Sequence, residues 1–366
     1  MFHTINYRLT KLCNNVSQQL LHFNGISRTK LWVHSQTECN NVNTVIQSNN
    51  RLLKVAIVGA PNVGKSTLIN QILQRKVFPI SKKVHTTRCR AKAVYNEGKV
   101  QLVFLDTPGL VTVTESQKYK LEAEFVTGGE NAIIEADLIG VVHDLSNRYT
   151  RKSLDAKVLR LLHLYRNKDS ILIMNKVDTV KSKRKLLDIT DVLTAGKLRN
   201  STIDSIDSSN DLSEKSIQDR IKNQHHWEQF SQVFMVSALL GTGVSELKAY
   251  LLNSAKYGDW LFPENSFTDQ SPEVLITETV RSKLLEHLPQ EIPYKLNVEL
   301  EYLDAEQKDI IMAVVNVGCD TSRIEGLVRG SGGHRIKTIA TEAEQSLSDA
   351  FLTSVHLRVV VCSKQL

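Results

Sequence analysis

The chain has 366 residues, 41% hydrophobic and 23% charged, with a formal net charge of +7. That is enough chain for two domains with cores of their own, and no apolar run of about 18 residues is present to cross a membrane as a helix. Cys13, Cys39, Cys89, Cys319 and Cys362 lie scattered, with no CxxC pair and no histidine at ligand spacing, which argues against a disulfide framework or a zinc site and fits a reducing compartment.

Charge is unevenly placed. Residues 272–366 hold 10 Lys+Arg and 14 Asp+Glu, a net of −4, so the rest carries +11. Overall basicity is therefore no nucleic-acid footprint by itself; only the local cluster Arg323, Arg329, His334, Arg335 and Lys337 argues that way. Residues 1–50 have Arg8, Lys11, Arg28 and Lys30 against one acid, Glu38, among many Asn, Ser, Thr and Gln. This acid-poor, basic composition is that of a mitochondrial presequence, a disordered extension being the alternative.

From Leu52 onward, short apolar runs alternate with amphipathic stretches. LLKVAIVG, VQLVFLD, DLIGVVHD, SILIMNK and QVFMVSA each read as a buried strand ending in polar residues. Such alternation predicts an α/β domain whose mostly parallel sheet is covered by helices on both faces, with ligands at the carboxyl ends of the strands.

The first strand runs into GAPNVGKST, from Gly59 to Thr67, followed by a helical pattern. This is a phosphate loop: backbone N–H groups from Gly59, Asn62, Val63, Gly64 and Thr67 wrap the phosphates, Lys65 reaches the β and γ oxygens, and Ser66 ligates Mg²⁺. VHTTRCR places Thr86 and Thr87 about twenty residues beyond Ser66, where a threonine hydroxyl completes the Mg²⁺ shell while a γ-phosphate is bound. The same residues also suit an ordinary surface loop. In FLDTPG, Asp106 holds Mg²⁺ directly or through water, and the Gly109 N–H senses the γ-phosphate. ILIMNKVD then supplies Asn175, Lys176 and Asp178, and the Asp178 carboxylate accepts two bonds from guanine N1 and N2. A site built on that carboxylate, expected to be buried, rejects adenine because the charge is left unpaired. Ser237, Ala238 and Leu239 end QVFMV, with the Ala238 N–H aimed at guanine O6.

Lys181 to His226 interrupts this pattern with one helical stretch and a Ser/Asp-rich tract that reads as a solvated loop insertion. WLFPENSFTDQSPE, rich in proline and small polar residues, reads as a linker. The expected division is a presequence at 1–50, a nucleotide domain at 51–260 with its insertion at 181–226, a linker at 261–273 and a second domain at 274–366.

In that second domain, Leu284, Leu285 and Leu288 share a helical face ended by Pro289 and Pro293, and LNVELEYL alternates as a half-buried strand. IIMAVVNV and VHLRVVVC read as two further strands. Between them lie a glycine loop, Gly330, Ser331, Gly332 and Gly333, and a helix whose Ile336, Ile339, Ala343, Leu347 and Phe351 form an apolar stripe. The loop fits the GXXG of KH domains, which clamps the backbone of about four single-stranded nucleotides. Glycines allow close approach, and the helix N-terminus with His334, Arg335 and Lys337 adds positive potential. No Lys-Ser/Thr pair directly follows the last glycine, Lys337-Thr338 coming four residues on, which disfavours a second nucleotide site.

Taken in order, GAPNVGKST, HTTR, DTPGL, NKVD, SAL, LLEHLPQEIPY and GSGGHRIKTIATEA resemble the Era family of GTPases, and in particular its mitochondrial members, over residues 52–362. The resemblance implies a P-loop GTPase domain followed by an α+β type II KH domain. It also implies GTP, GDP and Mg²⁺ as ligands, and binding of the single-stranded 3′ region of small-subunit rRNA during assembly of the mitochondrial small ribosomal subunit. The expected molecule is monomeric and resides in the mitochondrial matrix, free or peripheral to the inner membrane. Relatives place the switch threonine directly before an arginine, which favours Thr87. Leu110 stands where Ras-like proteins have the glutamine that orients water, so slow intrinsic hydrolysis is expected. Asn62 matches a residue that helps some relatives hold K⁺. Two other readings stay open on sequence: an RNA-binding factor with a largely structural nucleotide, and a GTPase of tRNA modification or signalling.

Overall fold

A computed structural model describes residues 49–78, 91–106, 124–199, 214–222, 224–289, 291–305 and 310–363. β1 (Arg51–Val58) opens a sheet and is followed by α1 (Lys65–Leu73), then by the hairpin β2 (Ala91–Glu97) and β3 (Val100–Asp106). After α2 (Glu124–Glu135) come β4 (Leu138–Asp144), α3 (Ala156–Leu164) and β5 (Asp169–Asn175). α4 (Lys183–Thr194) and α5 (Glu214–Ile221) precede β6 (Phe230–Met235), α6 (Val244–Ser254) and the two-residue β7 (Lys256–Tyr257). The order is β2-β3-β1-β4-β5-β6, with β7 on β1; only the β2–β3 and β1–β7 pairs are antiparallel.

All seven residues of β3 are buried, as a central strand covered on both faces requires. β2 has no apolar run to betray it. It lies at the sheet edge, where Lys92, Asn96 and Glu97 are tolerated, and the turn after it places Gly98 at φ 58°. Part of the tract expected to be a solvated loop is helical: α5 buries Ile217 to 1% exposure. Ile221, partly buried, packs against the same core as the apolar face of α3. Residues 200–213 lie outside the described set.

The second unit comprises α7 (Pro272–His287), β8 (Asn297–Asp304), β9 (Ile310–Cys319), α8 (Ser322–Arg329), α9 (His334–Phe351) and β10 (Ser354–Ser363). β9 is central, parallel to β10 and antiparallel to β8. α7 starts well ahead of the leucine face seen in sequence, because Ser271 accepts from the Val274 N–H and Pro272 occupies the first turn. α8 is absent from the sequence reading. It has eight residues with Gly326 inside, and is held by the Thr321 side chain accepting from Ile324 N–H and by the Arg329–Glu325 ion pair at 2.7 Å. Ile339, Ala343, Leu347 and Phe351 of α9 are buried in this unit's core as the stripe predicts. Burial pushes the Cys319 thiol up to about 11, so it stays protonated at neutral pH.

The stretch between the units is bonded at both ends. Gln101, fully buried, accepts from the Leu261 and Phe262 N–H groups at 2.9 and 3.0 Å and donates to the Phe262 carbonyl at 2.9 Å. Further on, Val94 N–H donates to the Phe267 carbonyl at 2.9 Å, and Thr268 bridges Ala93, so Phe267 to Asp269 pair along the outer edge of β2. The Phe267 ring packs against both cores. It lies 4.5 Å below the Arg75 guanidinium and 6.5 Å, edge to face, from Phe351, while Lys76 pairs with Asp349 at 2.8 Å.

Candidate nucleotide site and glycine-loop surface

Three loops at the carboxyl ends of β1, β5 and β6 meet on one side chain. Asn175, 2% exposed, donates through Nδ2 to the Val63 carbonyl at 2.8 Å. Its Oδ1 accepts from the Lys176 N–H at 2.8 Å and the Ala238 N–H at 3.0 Å. Gly64, at φ 98°, is required beside it: a Cβ there would lie 2.4 Å from Asn175 Nδ2. A Cβ on Gly59 would come within 2.5 Å of the Val142 carbonyl oxygen. The loop's glycines thus answer to strand ends as well as to any phosphate.

Lys65 is 7% exposed and donates to the Gly59 and Ala60 carbonyls at 3.1 and 3.0 Å. Burial pulls its pKa below the usual lysine range, with Asp106 and Asp155 opposing. An anion at the loop favours its charged form. Ser66 Oγ donates to Asp106 Oδ2 at 3.2 Å, and Asp106 is 2% exposed. A hydroxyl beside a buried carboxylate is a hard oxygen pair that suits Mg²⁺. Among the described residues there is no cluster of three or more His, Cys, Asp or Glu that could hold a metal ion. Thr67 lies in the first turn of α1. Thr87 and Gly109 lie outside the described residues.

One expectation needs correction, and one group has a further partner. Asp178 is exposed, not buried, because it sits in a single turn (Val177–Thr179) beyond β5 that no described element covers. The Ala238 N–H, expected for guanine O6, already donates to Asn175 Oδ1. Ser237 is 1% exposed and Leu239 78% exposed. One further group escaped the sequence: Asp144, at the end of β4, accepts from Lys176 Nζ at 2.6 Å. The same ammonium donates to the Asn62 carbonyl at 3.0 Å, and both Asn62 and Lys176 adopt left-handed backbone, φ 61° and 63°. The lone sign of this in the sequence is the acid closing DLIGVVHD.

In the second unit, Gly330 ends α8 at φ 71°, and a Cβ there would lie 2.7 Å from that of Arg335. At Gly332 and Gly333, φ is 57° and 77°, and an added Cβ meets nothing. Ser331, Gly332, His334 and Lys337 are exposed. Arg335 is half-buried and donates to the Leu327 carbonyl, so part of its guanidinium closes α8.

The family model described as "50S ribosome-binding GTPase" matches residues 54–176. The mitochondrial GTPase Era of Salmo salar is 37% identical over 351 residues, covering 86% of this chain and 76% of that protein. The chain belongs to the Era family of GTPases. Era of Danio rerio, also named mitochondrial, is 37% identical over 86% of this chain and 75% of its own. A crystal structure of Era with MgGDPNP and nucleotides 1506–1542 of 16S ribosomal RNA superposes with a TM-score of 0.68 at 27% identity, covering 86% of this chain and 94% of that one. Like other Era proteins the chain hydrolyses GTP, and its two sheets are the P-loop GTPase domain and a C-terminal KH-type domain. No described helix is long and apolar enough to cross a membrane.

Proposed function

We propose that this Era-family GTPase is an RNA chaperone of the mitochondrial matrix that binds the 3′-terminal region of small-subunit rRNA and assists assembly of the small ribosomal subunit. The observation that carries the reading is the exposed Ser331–Gly332 turn at the start of α9, in a chain whose other unit gathers the nucleotide loops on Asn175. In support, the related Era crystal structure contains 16S rRNA nucleotides, and the fish relatives carry mitochondrial names.

In this reading the phosphates lie on the N–H groups of Gly59 to Thr67 against Lys65, and guanine is fixed by Asp178, the Lys176 stem and the backbone around Ala238 and Leu239. Ser66 and Asp106, with Thr87, would hold Mg²⁺, which offsets phosphate charge when bound. Gly109 would sense the γ-phosphate. RNA backbone lies over Gly330 to Gly333, with His334, Arg335 and Lys337 adding positive potential. α1 has Lys65 at one end and Arg75 just past the other, about 15 Å away at 1.5 Å per residue. Nucleotide state is thereby communicated to Phe267 and the KH-type unit.

Crosslinking in cells followed by sequencing of the attached RNA tests the assignment. A dominant peak near the 3′ end of mitochondrial small-subunit rRNA is expected; scattered or absent RNA overturns it. The left-handed Asn62 also fits a K⁺ ligand beside the phosphates. Hydrolysis is expected to run several-fold faster in KCl than in NaCl at equal ionic strength, and equal rates remove K⁺ from the site.

A further inference from the structure

Between Arg148 and Lys168 the chain carries seven Lys or Arg against one acid, Asp155. α3 lies within it, and α5 with the residues after it closes over α3. His163 Nε2 is 2.9 Å from Gln224 Oε1, Leu154 N–H donates to the His225 carbonyl at 2.9 Å, and Ser153 Oγ is 3.1 Å from His225 Nδ1. Together they form a cleft of about 590 Å³. Lys157, Arg160, Lys222 and His225 line it over an apolar floor of Leu154 and Ile221, and no carboxylate is among its described lining residues. Glu130 and Asp219 each pair with one rim cation, Arg160 and Lys222, at 2.7 and 2.8 Å. Tyr149, in the same basic run, is 97% exposed.

We propose that this face is a second RNA-binding surface, which takes the phosphodiester backbone of a single strand in the α3–α5 cleft with Tyr149 available for base stacking. Charge decides the occupant. The KH-type segment, residues 272–366, is net −4, so the long-range attraction for a polyanion must come from the other part of the chain. Cations combined with an exposed aromatic are what a sequence-tolerant single-strand surface needs.

This inference rests on the RNA reading but uses residues remote from the glycine loop. The full chain carrying Lys152→Glu, Lys157→Glu and Lys222→Glu is titrated with two labelled probes across a salt series. One probe is a short single strand long enough for the glycine loop alone; the other is a longer fragment of small-subunit rRNA 3′ end. A companion variant with glutamine at the three positions guards against charge-reversal misfolding. The long RNA is expected to bind at least about tenfold more weakly with a log–log salt slope about two smaller, since each lost single-strand phosphate contact is worth about 0.7. The short strand keeps its affinity. Unchanged long-RNA affinity and slope in both variants overturns the proposal, as does equal loss for both probes. So does unaltered RNA binding with lost association to ribosomal particles, which would make the face a protein contact. Ser331→Asp with Gly332→Asp separates the readings: if that variant binds both probes normally, the glycine-loop reading fails while the cleft stands on its own result.

Discussion

Asn175→Ala is expected to weaken GTP and GDP binding by at least about a thousandfold and to lower stability by about 3 kcal/mol. The stability loss follows from what the truncation leaves behind. The Val63 carbonyl and the Ala238 N–H both lose a buried partner, and each unsatisfied group costs roughly 1 to 3 kcal/mol. The affinity loss is larger because the same amide sets the relative positions of the phosphate loop, the Lys176 turn and the Ser237–Leu239 loop. Once they drift apart, one nucleotide cannot satisfy phosphate and base contacts together. Asn175→Asp sharpens the test. It keeps an acceptor for the Ala238 and Lys176 N–H groups but removes the donor to Val63 and sets a carboxylate against that carbonyl. Affinity by fluorescent GDP titration and stability by urea unfolding should place the aspartate variant between wild type and alanine. An alanine variant that binds GDP within tenfold of wild type would show that the loops hold their places without this side chain.

Phe267→Ala should separate the two activities without abolishing either. The ring is half-buried, so its truncation costs about 2 kcal/mol, and its ring partners Arg75 and Phe351 lie outside the nucleotide loops. Basal GTP hydrolysis and RNA affinity measured alone should stay within threefold. What should vanish is their linkage. If RNA prefers the GTP state in the wild type, it must raise GTP affinity by the same factor, typically between about 5 and 150. In the variant that factor should fall to about one. The Lys76–Asp349 pair is exposed and worth at most about 1 kcal/mol, so it cannot carry the linkage alone. A variant retaining the full wild-type factor would exclude the Phe267 joint as the route.

Much of the GTPase sheet was legible because strands covered on both faces read as continuous apolar runs, as in VQLVFLD. β2 was not, since an edge strand keeps polar residues, and α8 was hidden by its shortness and by Gly326. The phosphate loop was legible for a different reason: its chemistry is carried by consecutive residues. Asn175 was visible as a motif member, but its bonds to Val63 and Ala238 span 112 and 63 residues, and the Lys176–Asp144 bond spans 32. Partners that far apart are brought together by the sheet, and no local pattern announces them. The exposure of Asp178 escaped for the converse reason: a motif tells which group meets the base, but not what else covers it.

The short pairing of Phe267 to Asp269 along β2 has a consequence for solubility. An uncovered outer strand offers a row of free N–H and C=O groups on which a second molecule can add its own strand, the usual start of aggregation. Here the chain covers that row with its own backbone, through Val94 N–H to Phe267, Asp269 N–H to Lys92 and the Thr268–Ala93 bridge. A swing of the C-terminal unit that peeled this segment away would open an adhesive edge in every cycle. Safe opening must therefore bend the chain after Asp269, at Gln270 and Ser271 just before α7, and leave the guard strand in place.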